Sequence, residues 1–280
     1  MAHNLLRFTS RLYSVPHLIT QEALSPILDY LHNRNTQLSS TVVAGSKEAV
    51  KPTKMGSIGE IKIDGALTYQ PVDGICGDVG TSYKGILEQA QMLIDEGIST
   101  LVTVHSSGGG EAAHCFATAS DLREMCDEAG VTWVSYIDTY SASASLAIGI
   151  AADEVVIHPS ASTGSIGCVV CLMDQSKALD NAGLKPIYIA SSEGKTPFEA
   201  SGAFSKDFLE GIQADVTRLG AQFAEHVSKY TGLPVEDILA MNAKMYHAEA
   251  ALEAGLVNSI QDHKQFAKHL AEMGKGKKHA

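Results

Sequence analysis

Residues 101–137 open with Leu101-Val102-Thr103-Val104-His105-Ser106-Ser107-Gly108-Gly109-Gly110, run through EAAHCFATASDLREMCDEAG (111–130), and close with Val131-Thr132-Trp133-Val134-Ser135-Tyr136-Ile137. The apolar run Leu101 to Val104 predicts a strand, and a helix is expected from about Glu111 to Glu128, where Gly130 stops it. Val131 to Ile137 then reads as a second strand. Strand, helix and strand at this spacing predict a parallel βαβ unit with a right-handed crossover.

The same alternation extends outward. Upstream, Ile58 to Leu67 reads as a strand, and Thr81-Ser82 opens a helix whose Ile86, Leu87, Ala90, Leu93 and Ile94 keep a 3.6-residue period before Gly97. Downstream, the pattern predicts helix 144–152, strand 154–158, a strand after Gly164, helix 174–182 and strand Pro186 to Ala190. After Ser205 the chain reads as helical, with Phe208, Ile212, Val216, Leu219 and Phe223 marking a long amphipathic helix. The class is therefore α/β. Residues 1–34 read as a leader or docking segment, with a helix starting at Ser25-Pro26, and residues 35–57 as a linker. Residues 58–272 form the expected catalytic domain, and 273–280 a basic tail carrying Lys275, Lys277 and Lys278.

Bulk properties narrow the partners. The 280 residues are 45% hydrophobic, enough for one large core. Lys+Arg 21 against Asp+Glu 32 gives a formal charge of -11, which disfavours a nucleic-acid partner. Five cysteines at irregular spacing do not make a disulfide framework, and a cytoplasmic setting is expected. Cys168 and Cys171, in an apolar run, are expected to alternate across a buried strand rather than to bind zinc. Neither a metal nor a cofactor is implied. No apolar run is long enough to span a membrane, and Arg7 and Arg11 interrupt the N-terminal apolar stretch, so no signal peptide is read there.

Two strand-to-helix junctions could carry chemistry. At Gly108-Gly109-Gly110, backbone N–H groups can approach a ligand closely, which suits a phosphate, an oxyanion or an ordinary tight turn. It lacks the Gly-Lys-Ser/Thr of a phosphate-binding loop. At Tyr140-Ser141-Ala142-Ser143-Ala144-Ser145, a hydroxyl stands at the start of a helix rich in small residues. Each of the three serines is equally a candidate cap for that helix.

The whole arrangement resembles the signal peptide peptidase A family of serine peptidases. That family shows Ser-Pro-Gly-Gly, then Tyr-Ala-Ala-Ser-Gly-Gly before a helix ending Ala-Ala-Asp, then Asn-Pro-Ser with Thr-Gly-Ser-Ile-Gly, then a lysine. Here stand Ser106-Ser107-Gly108-Gly109, Tyr140 to Ser145, Ala151-Ala152-Asp153, His158-Pro159-Ser160 and Thr163-Gly164-Ser165-Ile166-Gly167, with Ala250 to Asn258 matching the closing motif. Departures are Ser107 for proline, Ala144-Ser145 for paired glycines and His158 for asparagine. The resemblance implies a Clp-protease/crotonase-like fold of repeated ββα units with a helical C-terminal part.

It further implies Ser143 as nucleophile, Lys195 of Glu193-Gly194-Lys195-Thr196-Pro197 as general base, and Ser165 as the hydroxyl that orients the lysine amine. Gly109 and Ala144 would donate backbone N–H groups to the oxyanion, and an extended peptide would pair with backbone near Gly108 to Gly110. His105, His114 and His158 are read as structural or rim residues rather than bases. The leader Arg11 to Ile19 and Gly80-Thr81-Ser82-Tyr83 look like the phage-encoded branch, the head-maturation or prohead proteases. Its members process scaffold, portal or capsid proteins inside an assembling shell, and a ring-like homo-oligomer is expected. Three other readings share the fold: a cytoplasmic bacterial signal-peptide-peptidase-like enzyme, a crotonase-type acyl-CoA enzyme and a catalytically silent assembly protein.

Overall fold

The computed structural model describes residues 15–25, 51–71, 81–199 and 202–276. Residues 21–25 are already helical, ahead of the start expected at Ser25-Pro26; the rest of that expected helix and most of the expected linker lie outside the described residues. Nine strands among the described residues form one sheet: β1 (His17–Ile19), β2 (Thr53–Met55), β3 (Ile58–Leu67), β4 (Thr100–Glu111), β5 (Thr132–Ala142), β6 (Glu154–Ile157), β7 (Ser162–Gly164), β8 (Met245–His247) and β9 (Ser259–Ile260). The helices are α1 (Tyr83–Asp95), α2 (Cys115–Ala129), α3 (Ala144–Gly149), α4 (Ser176–Asn181), α5 (Lys206–Thr231), α6 (Val235–Ala240), α7 (Ala248–Glu253) and α8 (His263–Gly276).

The expected α/β class with a parallel sheet is the one found. Strands β3, β4, β5, β6 and β9 run parallel in that order, and β7 runs parallel to β5 beyond β6. Three antiparallel pairings join it: β2 to β3, β1 to β4 and β8 to β7. Alternation of side chains along each strand builds the two sides. Leu101 and Trp133 share a core with Ile86, Ala90 and Leu93 of α1 and Leu122 and Cys126 of α2. Their neighbours Val102 and Val134 point the other way, into a core with Val156 and Phe266 of α8. Each such side chain, fully buried, stabilises the fold by roughly 1.5–3 kcal/mol.

Several expectations change. Strand β4 runs through Gly108 to Glu111, so the glycines lie inside a strand, not in a turn, and α2 begins only at Cys115. Part of the expected linker folds back as β2 on β3, and the expected leader contributes β1 to the main sheet. Residues 186–190, expected as a strand, are exposed and form none: Ile187 and Ile189 lie open to solvent, with no neighbouring strand to pair them. Cys168 to Leu172 is likewise no regular strand: Val169 makes a single bridge with His17, and Cys168 and Cys171 are both half-buried. Helix α8 continues into the expected tail as far as Gly276.

Helix α5 is capped at Ser205, whose hydroxyl accepts the Phe208 N–H at 3.3 Å, but only Phe223, Ala224, His226 and Val227 of it are buried. Phe208, Ile212, Val216 and Leu219 stay half-buried. Among the described residues no helix is long and apolar enough to cross a membrane, and no cluster of metal-ligating side chains is found.

Candidate active site

Ser143 is the single residue between the end of β5 and the start of α3. Its φ of 55° and ψ of -119° belong to a region that L-residues rarely adopt, at a cost on the order of 1–3 kcal/mol. Two backbone bonds hold it there: its N–H donates to the Gly164 carbonyl at 2.9 Å, and its carbonyl accepts the Ala147 N–H at 2.9 Å. The residue is buried, its hydroxyl does not cap α3, and Oγ has no hydrogen-bond partner.

The flanking serines behave differently. Ser141 Oγ and Ser145 Oγ are hydrogen-bonded to each other, and Ser145 Oγ also meets His105 Nδ1 at 2.9 Å. His105 Nε2 meets Thr103 Oγ1 at 3.0 Å, which accepts the Trp133 indole N–H at 3.0 Å. Burial pushes the His105 pKa down to about 3, so this imidazole is neutral and structural. Every member of this set finds its partner beneath the turn. The hydroxyl of Ser143 alone among the three serines is uncommitted, which removes the capping alternative.

The glycine strand lies alongside. A methyl group built on Gly109, whose φ is 98°, would stand 3.0 Å from both the Ala142 carbonyl oxygen and the Ala144 nitrogen. Gly109 and Ala144 are thus close neighbours. The Gly109 N–H is occupied, however: it donates to Ser107 Oγ at 3.2 Å, and that hydroxyl donates to the Gly65 carbonyl at 2.6 Å. The Gly108 carbonyl accepts the Thr20 N–H at 2.9 Å. Ser107, which replaces a proline of the resembled pattern, therefore ties β4 to β3. Its role was not visible in the sequence.

Thr163, Gly164 and Ser165 wedge between β5 and the start of β8. Thr163 Oγ1 donates to the Ser141 carbonyl at 2.6 Å, and the Ser165 N–H donates to the Lys244 carbonyl at 2.9 Å. Lys195 ends a 3-10 turn, Glu193–Lys195, and is exposed. Among the described residues no hydrogen bond joins it to Ser143 or Ser165, so the structure does not close the expected Ser143–Lys195–Ser165 arrangement. The segment that carries it is apolar and open: Ile187 is 82% and Ile189 97% exposed. A ladder of aromatic stacks, Tyr188 on Phe198, Phe198 on Phe204 and Phe204 on Phe208, fastens that segment to α5.

The other histidines are engaged elsewhere. His158 accepts the Ser160 N–H at 3.2 Å and packs on His263, whose Nε2 meets Asp138. His114 stacks on Tyr69 at 3.8 Å.

The model of peptidase family S49 matches residues 126–277. Capsid assembly protease C of Escherichia phage lambda is 27% identical over 222 residues, covering 77% of this chain and 49% of the relative. Head-tail preconnector protein GP5 of Enterobacteria phage P21 is 24% identical over 225 residues, covering 78% and 44%. The chain spans about half the length of these curated relatives. Among solved structures, a ClpP1 mutant from Listeria monocytogenes aligns with a TM-score of 0.46 and 13% identity, over 73% of this chain and 91% of that one.

Proposed function

Because the chain belongs to peptidase family S49, we propose that it is a serine endopeptidase whose nucleophile is Ser143 and whose general base is Lys195. The observation that carries the reading is the contrast among three serines: Ser141 and Ser145 are bound into a buried network, while Ser143 sits in a strained conformation with an unengaged hydroxyl. A partnerless buried hydroxyl costs on the order of 1–3 kcal/mol, and sites that retain such costs are often sites of reaction.

In this mechanism Ser143 Oγ attacks the scissile carbonyl while a neutral Lys195 amine takes the hydroxyl proton. Backbone N–H groups of Gly109 and Ala144 face the oxyanion, the Gly109 N–H giving up its long bond to Ser107. The protonated amine then donates to the leaving amine, and water, activated by the same lysine, hydrolyses the acyl-enzyme. Ser165 orients the amine. Burial favours the neutral form of an amine and Lys195 is exposed, so the segment carrying it is to be covered before turnover. Packing against a second copy of the chain would do so and would cover Ile187 and Ile189, in keeping with a ring-like homo-oligomer.

Both curated relatives are phage proteins, one named a capsid assembly protease. The substrates proposed for this chain are accordingly scaffold, portal or major capsid proteins processed during head maturation. Wild type and Ser143→Ala are incubated with such proteins and the products read by mass spectrometry. Discrete fragments made by wild type alone are expected; identical fragments from Ser143→Ala would sink the assignment.

A further inference from the structure

The groove that a substrate peptide would need is occupied by the chain itself. Residues 16–20 run antiparallel to β4 with Leu18 opposite Gly110 and Ile19 opposite Gly109. On that side the Thr20 N–H donates to the Gly108 carbonyl at 2.9 Å, and the Ala112 N–H donates to the Pro16 carbonyl at 3.3 Å. On the other side His17 exchanges both backbone bonds with Val169, each at 2.9 Å. The strand is clamped from two directions, its backbone groups alternating between the walls, as an extended peptide in a two-walled cleft is held.

Its position along the groove is informative. The methyl group built on Gly109, 3.0 Å from the Ala144 nitrogen, would stand 2.1 Å from the Leu18 carbonyl oxygen. The Leu18–Ile19 peptide bond thus lies beside the two candidate oxyanion donors. The Leu18 side chain is wholly buried and belongs to the same apolar cluster as Ala112, Cys115, Ala144 and Ala147. Ser143 is wholly buried as well.

We propose that His17–Thr20 of this chain occludes its own peptide-binding groove, lying between Gly108–Ala112 and Val169 in the manner of a bound substrate, with Leu18 in the place of the residue before a scissile bond. Entry of another peptide then requires this strand to withdraw. The inference rests on the serine-peptidase reading for its meaning, but the occupancy of the groove can be tested without it.

The experiment uses the full chain as wild type, Leu18→Glu and Thr20→Pro, with the free peptide Val-Pro-His-Leu-Ile-Thr-Gln as probe. Hydrogen exchange at the Gly110 and Ala112 amides reports the strand; covalent labelling of Ser143 by a fluorophosphonate reports the nucleophile. Both variants should exchange those two amides faster, with added peptide restoring protection. Since a tethered occupant acts at about millimolar effective concentration, labelling should accelerate by roughly tenfold or more in the variants. Unchanged protection of Gly110 and Ala112 in variants that still melt cooperatively, or no effect of the peptide, overturns the proposal. Exchange behaving as expected while Ser143 labels in no form would keep the groove and remove the serine mechanism.

Discussion

Ser141 Oγ and Ser145 Oγ lie 3.0 Å apart, and the hydrogen bond between them spans the turn that carries Ser143. Both also reach His105 Nδ1, at 3.4 and 2.9 Å, so the imidazole is the anchor of the turn. Replacing it by His105→Asn should lower stability at pH 7 by about 1–3 kcal/mol, as donors or acceptors lose their partners. The pH dependence has a defined sign. Burial holds His105 at about 3 when folded, below its ordinary value near 6.5, so its contribution is complete above about pH 6.5 and is lost as pH falls toward 3. Urea unfolding at several pH values should show a shallower acid limb in the variant. His226, also lowered by burial, keeps that limb from vanishing.

The conformation of Ser143 predicts a trade between stability and activity. Glycine adopts a φ of 55° without strain, although it loses more backbone entropy on folding. Ser143→Gly should therefore gain about 1 kcal/mol net, or about 2–4 °C in melting temperature, while abolishing turnover. A variant that melts lower than wild type would show that the turn is not strained.

Lys195 is exposed, so Lys195→Ala should leave stability within about 0.5 kcal/mol of wild type. Turnover, by contrast, should fall by roughly 10²–10⁴-fold with loss of the base. Lys195→Arg should fail equally, because a guanidinium stays protonated at any working pH. His158→Ala should retain most activity. Activity that disappears in His158→Ala but persists in Lys195→Ala reverses the assignment.

Ile187 and Ile189 offer a test of assembly that does not depend on catalysis. Light scattering of wild type should report a homo-oligomer at micromolar concentration, and Ile187→Lys with Ile189→Lys should shift it toward monomer. A wild-type monomer would remove the proposed cover for Lys195.

Much of the scaffold was readable from periodicity alone. The apolar runs of β4 and β5 and the 3.6-residue spacing in α1 are local signals, and burial of Leu101, Trp133, Ile86 and Leu93 agrees with them. Strand β1 carried no such signal: His17, Leu18 and Ile19 have no alternation to read, and their partners lie far along the chain. Gly108 to Gly110 could not be told from a tight turn in the sequence, because glycine usually breaks strands. Here its lack of Cβ admits neighbouring backbone: a methyl on Gly110 would lie 1.9 Å from the Leu67 carbonyl oxygen. The three serines around position 143 are equivalent in local sequence, and only their hydrogen bonding separates them.

The pairing of β6 with the late strand β9 has a consequence for biosynthesis. Asn258 grips Val155 through its own N–H and its side-chain oxygen, and the Gln261 N–H donates to the Ile157 carbonyl. These bonds come from residues that leave the ribosome roughly 5–20 s after β6 does, at about 5–20 residues per second. During that interval Val155 to Ile157 present open backbone to any passing strand, including that of a neighbouring nascent chain. Translation speed through the intervening segment, and chaperone occupancy during it, should therefore govern the yield of soluble protein more strongly than changes of similar size earlier in the message.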